Sequence, residues 1–348
     1  LLISSGLMIR SLMALEAVDP GFDTENLLTL RVSLPEQRYP SGAERNQFFE
    51  SAVREIGSLP GVRSASAIST IPLVGSNANG SMTIEDHPIS DPADKVFVGA
   101  EAVVPGYLET IGIPLIEGRS FNETDGADSG SVVIINGYMA RHFWPNESAV
   151  GKRVKYGPLD GPLPWFEVVG VMGDHRQTSL DVETRFETLY LQAQYPSSAM
   201  TFVIRTEVEP TSLTTTVQET VWKIDPGVGV YRIATMDEIV ARNTRSVDDL
   251  TNLLGGFGAV ALALALGGLY ALMSFTVERR TREIGLRMAL GAEARSVLTT
   301  VLRKSAALLL LGLVAGSLIA WWLSRWLQGM LFEISSLDPT TYALSLIH

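Results

Sequence analysis

The chain of 348 residues contains no cysteine, which excludes a disulfide framework and a thiolate metal site. Its four histidines, His87, His142, His175 and His348, are too scattered along the sequence to predict a metal site. The sequence also lacks a G-x-S-x-G nucleophile elbow and the G-x-x-x-x-G-K-[ST] loop that binds the phosphates of ATP. We therefore expect no enzymatic activity and no bound cofactor in this chain.

Two long stretches of the sequence lack any charged side chain. Residues 250–277 form the first and residues 305–324 the second, and Trp321, Trp322 and Trp326 lie together at the end of the second. At a helical rise of ~1.5 Å per residue, both stretches can cross the ~30 Å hydrocarbon core of a bilayer. The sequence thus predicts two transmembrane helices without a charged pathway through the lipid.

The distribution of charge predicts how these helices are oriented. The chain carries a net charge of −11, yet the segment between the two stretches, residues 278–304, has seven Lys/Arg and three Glu. Short basic loops lie in the cytoplasm of bacteria, so we expect a cytoplasmic loop at 278–304 and the long acidic part of the chain outside. The acidic balance also argues against a nucleic-acid partner.

The basic loop begins with "ERRTREIGLRMALGA", residues 278–292. On a helix, Glu283 lies four residues from both Arg279 and Arg287, and Ile284 and Met288 share a face. Three interpretations remain open at this point. The segment is a solvated loop that fixes topology, an amphipathic helix on the lipid surface, or a docking helix for a cytoplasmic partner.

Small residues recur every four positions in both uncharged stretches. Such stripes let membrane helices approach closely, so we expect helix packing, and dimerisation less directly, on these faces. The predicted packing residues are Gly255, Ala259, Ala263, Gly267, Gly312 and Gly316.

Upstream of the first membrane stretch, the pattern is that of an α+β domain. Leu28, Leu30 and Val32 alternate with polar neighbours as in a half-buried strand, and Ser41 with Glu44 forms a capping box before a helix that ends near Gly57. Further strands are predicted at 62–69, 96–104, 131–135, 166–172, 188–191, 200–205 and 230–233, and helices at 105–111, 137–143, 212–224 and 236–244. The last of these helices runs with little punctuation into the first uncharged stretch. The Pro/Gly-rich residues 156–165 predict a hairpin loop or a connection between subdomains. We predict an α+β extracytoplasmic domain of two subdomains, joined to α-helical transmembrane segments.

Several of these motifs resemble one family, the FtsX-like, MacB-like permeases of ATP-binding-cassette (ABC) transporters. "ERRTREIGLRMALGA" resembles the cytoplasmic segment between the second and third membrane helices of that family. "DPGFDTENLLTLRVSLP", "IGIPLIEGRSF", "HFWPNESAVGKRV" and "FEVVGVMGD" resemble its MacB-like periplasmic core domain. The resemblance covers nearly the whole chain and implies an order of parts. These are the end of a first transmembrane helix and a stalk at 1–20, the periplasmic core domain at 21–245, and an FtsX-like permease domain at 246–348 in which a further helix begins at 340–348.

The resemblance also implies a function. A permease subunit of this type lies in the bacterial inner membrane and works with a cytoplasmic ABC ATPase, which binds the ATP. It acts as a homodimer or as an internally duplicated permease, in contact with the lipid bilayer and with a periplasmic partner. Movement passes to the periplasmic domain by mechanotransmission and serves efflux or extraction of a substrate. The alternative is an FtsX-type signalling subunit that regulates a cell-wall hydrolase without transport. The ATPase-coupling segment would comprise Arg280, Glu283, Ile284, Arg287, Met288 and Leu290.

Overall fold

The computed structural model describes residues 9–10, 13–15, 17–75, 79–87, 95–122, 124–127 and 129–289, together with 312, 314 and 316. Asp19–Asn243 forms one compact unit, and the described residues outside that range belong to a second. The predicted membrane helix at 305–324, apart from three of its positions, and the predicted helix start at 340–348 lie outside the described residues. They remain predictions.

The described chain forms strands and helices in a mixed order. The strands are β1 (Leu27–Ser33), β2 (Val62–Ile68), β3 (Asn79–Ile84), β4 (Val96–Val103), β5 (Leu115–Gly118), β6 (Val132–Asn136), β7 (Arg153–Tyr156), β8 (Phe166–Met172), β9 (Glu187–Leu191), β10 (Ala199–Thr206) and β11 (Gly229–Thr235). The helices are α1 (Gly42–Gly57), α2 (Tyr107–Ile111), α3 (Gly137–Phe143), α4 (Thr214–Ile224) and α5 (Met236–Ala289). This mixed α/β content agrees with the predicted α+β class.

The first part of the sheet is built from the two ends of the unit Asp19–Asn243. Its strand order is β11-β1-β10-β2 with antiparallel neighbours, and α1 and α4 connect β1 to β2 and β10 to β11. This is the βαββαβ arrangement of a ferredoxin-like fold. The second part of the sheet, β3 to β9, is inserted between the two βαβ halves.

Helix α1 forms where the sequence predicts it. Ser41 Oγ accepts a hydrogen bond from the Glu44 backbone N–H at 3.2 Å, and the Glu44 carboxylate accepts one from the Ser41 N–H at 3.1 Å. The predicted capping box is therefore confirmed. One face of the helix is buried, with Phe49 and Ile56 fully buried, because apolar residues recur at helical spacing. The Phe49 ring lies 5.9 Å from that of Phe202 on β10, which fixes the helix on the sheet.

The inserted part closes on itself. Its strands follow the order β4-β3-β7-β8-β6-β9, and β9 pairs back onto β4 in parallel, so six strands form a ring. Strand β5 pairs with residues 170–172 of β8, beyond the two residues of β8 that pair with β7. Alternate side chains point into a closed sheet, and here the interior is filled by apolar residues, among them Met82, Val98 and Val154. Met139 of α3 and Trp144 belong to the same core.

The structure adds three strands to those predicted from the sequence. Strands β5 and β7 were missed because each has four residues, and β5 is exposed along its whole length and so shows no alternation of buried and exposed positions. Strand β3, "NGSMTI", was missed because it begins with polar residues and a glycine. The predicted helix at 236–244 continues into the predicted membrane helix at 250–277 as one helix, α5, as the lack of punctuation between them indicated. The Pro/Gly-rich segment 156–165 joins the antiparallel strands β7 and β8, which confirms a hairpin loop.

Candidate functional site

Helix α5 carries the residues that the sequence marked as functional. It begins at Met236, directly after β11, and runs for 54 residues. At its start, Thr235 Oγ1 accepts a hydrogen bond from the Glu238 N–H at 3.2 Å, and Asp237 and Glu238 place negative charge in the first turn. Both features stabilise the N-terminus of a helix. The hydroxyl accepts a hydrogen bond from a free N–H group, and the negative charges interact favourably with the helix dipole.

The middle of α5 has the composition of a membrane span. Gly255–Phe275 is a stretch of 21 residues with a mean hydropathy of 1.9, and it is the one candidate span among the described residues. Large apolar side chains in it are exposed, among them Leu264 at 72% and Tyr270 at 76%. An apolar surface of this kind on every side is what a lipid-facing helix requires.

The C-terminal part of α5 contains the predicted coupling residues. Residues 278–289 continue the helix, so the first part of the predicted loop at 278–304 is helical. Arg280, Glu283, Ile284, Arg287 and Met288 lie on this helical backbone, and Leu290 lies outside the described residues. The roles of these residues remain predictions.

One contact at this end of the span was not foreseen. The guanidinium of Arg279 lies 4.8 Å from the centroid of the Phe275 ring. The spacing of four residues between an aromatic ring and an arginine could have indicated it, because such pairs face each other on a helix. This contact places the first positive charge directly beside the last turn of the span.

Most of the predicted packing residues face open space in the part of the chain that the structure describes. Ala259, Ala263 and Gly267 are exposed, and a Cβ placed on Gly267, Gly312 or Gly316 meets no atom within 4 Å. Gly255 is half-buried. Close helix packing on these residues therefore remains a prediction.

A second cluster of interest lies in the unit Asp19–Asn243, where three titratable side chains are buried together. Glu101 on β4, Glu187 on β9 and His175 in the loop after β8 are each less than 8% exposed. His175 Nε2 lies 3.1 Å from Gln177 Oε1 and 3.2 Å from Glu187 Oε2, and Ser69 Oγ donates to the Glu101 carboxylate. The parallel pairing of β4 with β9 brings the two carboxyl groups to the same region.

Burial determines the charge state of this cluster. Burial raises the pKa of Glu101 to about 7 and that of Glu187 to about 8, and it lowers the pKa of His175. Each effect has the same cause, since loss of water disfavours the charged form. Near neutral pH, the contact between His175 and Glu187 therefore joins two neutral groups and is not an ion pair. A glutamate within the apolar run of β4, "VFVGAEAV", is the sequence feature that could have indicated such a group. No group of three residues suited to a metal ion occurs in the described residues.

An α/β unit that continues through one helix into an apolar stretch and a basic segment is the arrangement of a membrane protein with a large extramembrane domain. The chain belongs to the family with a MacB-like periplasmic core domain, whose family model matches residues 7–228. A second model, the FtsX-like permease C-terminal, matches residues 255–347. The predicted family, the MacB/FtsX-type permeases of ABC transporters, is thereby confirmed.

Named relatives are similar at low identity. A pyoverdine export ATP-binding/permease protein, PvdT, from Pseudomonas syringae pv. tomato is 26% identical over 305 residues, which cover 85% of this chain and 43% of the relative. A macrolide export ATP-binding/permease protein, MacB, from Marinobacter nauticus is 25% identical over 202 residues, or 55% and 30% of the two chains. The chain thus spans less than half the length of these relatives.

One solved structure with a similar fold is the periplasmic region of MacB from Actinobacillus actinomycetemcomitans. It has 13% sequence identity and a TM-score of 0.42, and the match covers 66% of this chain and 95% of that one.

Proposed function

We propose that this chain is the permease part of an ATP-driven exporter in the bacterial inner membrane, in which a cytoplasmic ATPase moves the periplasmic unit. The observation that carries the proposal is the continuity of α5 from β11 to Ala289. At ~1.5 Å per residue its 54 residues span roughly 80 Å, well beyond the ~30 Å of the hydrocarbon core. In this proposal, a displacement at one end of the helix is passed along it to the other end.

The orientation follows from charge. The span is followed by the arginines at 279, 280, 282 and 287, and basic residues next to a span are retained in the cytoplasm. The unit Asp19–Asn243 then lies in the periplasm, in agreement with the description of the matching family. The predicted second span at 305–324 makes the protein multi-pass.

ATP binding belongs to a partner subunit or to another domain, since the chain lacks a phosphate-binding loop. The ATPase docks on Arg280, Glu283, Ile284, Arg287, Met288 and Leu290. Two permease units, either in a homodimer or in a duplicated chain, pack through the glycine and alanine stripe. A periplasmic partner completes the assembly.

Export is the activity that the relatives favour. Their names describe export of pyoverdine and of macrolides, and nothing in the described residues favours the signalling alternative with a cell-wall hydrolase. We extend to this chain only the direction of transport, outward from the cell, and leave its substrate to experiment.

Deletion of the gene tests this function. We expect greater susceptibility to a panel of exported compounds that includes macrolides, with unchanged cell-wall cleavage. The wild-type chain should restore resistance, and so should Glu219→Arg, which changes an exposed glutamate on α4. Glu283→Arg in the coupling segment should not restore it. Altered cell-wall cleavage with unchanged susceptibility would contradict the proposal.

A further inference from the structure

A cavity of about 260 Å³ that is open to solvent lies at the six-strand ring of the unit Asp19–Asn243. Its lining comes from strands β3, β4, β7, β8 and β9 and from two loops, the one between β7 and β8 and the one between β9 and β10. Register shows that the lining residues of the strands face inward. Gly80 pairs with Val98, and Met82 pairs with both Val96 and Tyr156, which places them on the same face as the apolar core of the ring. The cavity is thus an open part of the ring interior that the core side chains leave unfilled, with the exposed Leu163 at its edge.

Two small residues create this space. Gly80 and Ala100 occupy inward positions beside Met82 and Val98, which are fully or almost fully buried. A Cβ placed on Gly80 meets nothing within 4 Å, and its φ lies outside the left-handed region, so neither sterics nor backbone conformation requires glycine there. A glycine inside a strand without such a requirement often marks a place where a ligand approaches closely.

Aromatic rings form the walls of the cavity. Tyr156, Phe166, Tyr195 and Tyr190 form a closed series, in which neighbouring ring centroids lie 5.0, 5.3, 6.0 and 6.0 Å apart. A cavity of ~150 Å³ with apolar walls is large enough for a benzene ring, so this one accommodates a ring with a substituent. It is smaller than the ~300–1,000 Å³ of sites that hold drug-sized ligands.

The polar groups of the lining select among such ligands. The lining residues include no charged side chain, so the lining offers no ionic partner for the hydration that a charged ligand gives up on entering. The Tyr156 hydroxyl is hydrogen-bonded to Thr188 Oγ1 at 2.7 Å. No hydrogen bond joins the hydroxyl of Tyr190 or Tyr195 to another residue that the structure describes, although burial raises the pKa of Tyr190 to about 12. Both tyrosines therefore offer hydroxyls that can bind a polar group of a ligand.

We propose that this cavity is a binding site for a small, uncharged aromatic compound that carries a hydrogen-bonding substituent, as a phenol does. The site lies within the unit Asp19–Asn243 and is independent of the ATPase, so it goes beyond the proposed function. The aromatic walls and the glycine provide room and contact area, and the free tyrosine hydroxyls orient the substituent.

Fluorine NMR on the full chain in nanodiscs tests this site, with protein-free nanodiscs as the blank for binding to lipid. The probes are 4-fluorophenol, fluorobenzene and 4-fluorobenzoate. We expect 4-fluorophenol to bind most tightly, fluorobenzene more weakly, and 4-fluorobenzoate not at all. Absence of 4-fluorophenol binding above the blank, or equal binding of the carboxylate, would overturn the proposal.

Three variants locate the binding. Gly80→Leu fills the cavity and should weaken binding of both neutral probes about tenfold or more, since it removes the apolar area that the ring buries. Tyr195→Phe should weaken 4-fluorophenol by roughly two- to tenfold and leave fluorobenzene unchanged, because only a hydrogen bond is lost. Tyr138→Phe is the matched control, since Tyr138 stacks on Phe186 and does not line the cavity.

The variants also separate misfolding from loss of the site. Tyr195→Phe removes one hydroxyl and keeps the ring. Misfolding would weaken both neutral probes, so a loss of affinity for 4-fluorophenol alone reports on the hydroxyl. An unchanged affinity of 4-fluorophenol in folded Gly80→Leu, verified by circular dichroism, would place the binding elsewhere and overturn the proposal.

Discussion

At the scale of single residues, the buried carboxyl groups of Glu101 and Glu187 make the stability of the unit Asp19–Asn243 depend on pH. Their native pKa values, about 7 and about 8, lie above the ordinary value of 4.5 for glutamate. From pH 4.5 up to these values the native state binds more protons than the unfolded state, so the free energy of unfolding falls as pH rises through that window. The loss is complete roughly one pH unit above the pKa of Glu187, where both groups are charged and buried.

Replacing Glu187 by glutamine should remove much of this dependence. We expect Glu187→Gln to change the free energy of unfolding little at pH 5 and to raise it by roughly 2–4 kcal/mol at pH 9, because the amide stays neutral when buried. The free energy of unfolding is measured by urea unfolding of the detergent-solubilised chain, with tryptophan fluorescence as the signal. Glu101 keeps a pKa raised by burial in this variant, so part of the pH dependence should remain.

The control is Glu219→Gln, which neutralises an exposed glutamate on α4 and should leave the pH profile unchanged. If the free energy of unfolding of Glu187→Gln depends on pH as steeply as that of the wild type, the raised pKa assigned to Glu187 is contradicted.

Helix-capping residues and buried carboxyl groups differ in how well the sequence predicts them. The capping box of Ser41 and Glu44 was predictable, because both partners lie within one turn of the same helix. The pair of Glu101 and Glu187 was not, because only the pairing of β4 with β9 brings residues so distant in sequence together. The cavity tyrosines are hidden for the same reason.

At the scale of elements, the prediction succeeded where a segment is long or strongly patterned. Strands β1, β4, β8 and β10 and helix α1 were predicted close to their observed positions. Strands β5 and β7 have four residues each, which is too short for a pattern of period two to be distinguished from a loop. The last periplasmic helix continues into the span, as the sequence indicated, since no Pro or Gly interrupts residues 236–254.

The continuity of α5 gives a prediction at this scale. A Gly-Gly-Ser insertion after Arg245, between the start of the helix and the span, should interrupt it, since glycine is a poor helix former. We expect the variant to retain binding to the ATPase and to lose the ability to restore export in a deletion strain. Susceptibility to the exported compound and co-purification of the ATPase measure the two properties separately.

The same insertion after Asp160, in the hairpin loop between β7 and β8, is the control and should preserve both properties. Normal export with the insertion after Arg245 would show that movement does not travel along α5.

At the scale of the whole molecule, the sequence predicted the order of parts but not the architecture of the periplasmic unit. The family, the span near residues 255–275 and the basic segment all follow from local composition and motifs. The insertion of a closed six-strand ring into a ferredoxin-like fold depends on pairings between distant strands, such as β4 with β9 and β1 with β10. Periodicity within a segment does not specify which strand it pairs with.

The central claim is that the basic end of α5 docks on a cytoplasmic ATPase. Because these 348 residues contain no cysteine, a cysteine introduced at Met288 is the only thiol among them. A thiol crosslinker in native membranes then captures the protein that lies beside position 288. A cysteine at the exposed Leu264 in the span is the matched control. Capture of an ATPase at position 288, absent at 264 and weakened by Glu283→Arg, is the predicted result. Labelling of position 288 only from outside the cell, or a cytoplasmic position that captures no protein, would contradict the account.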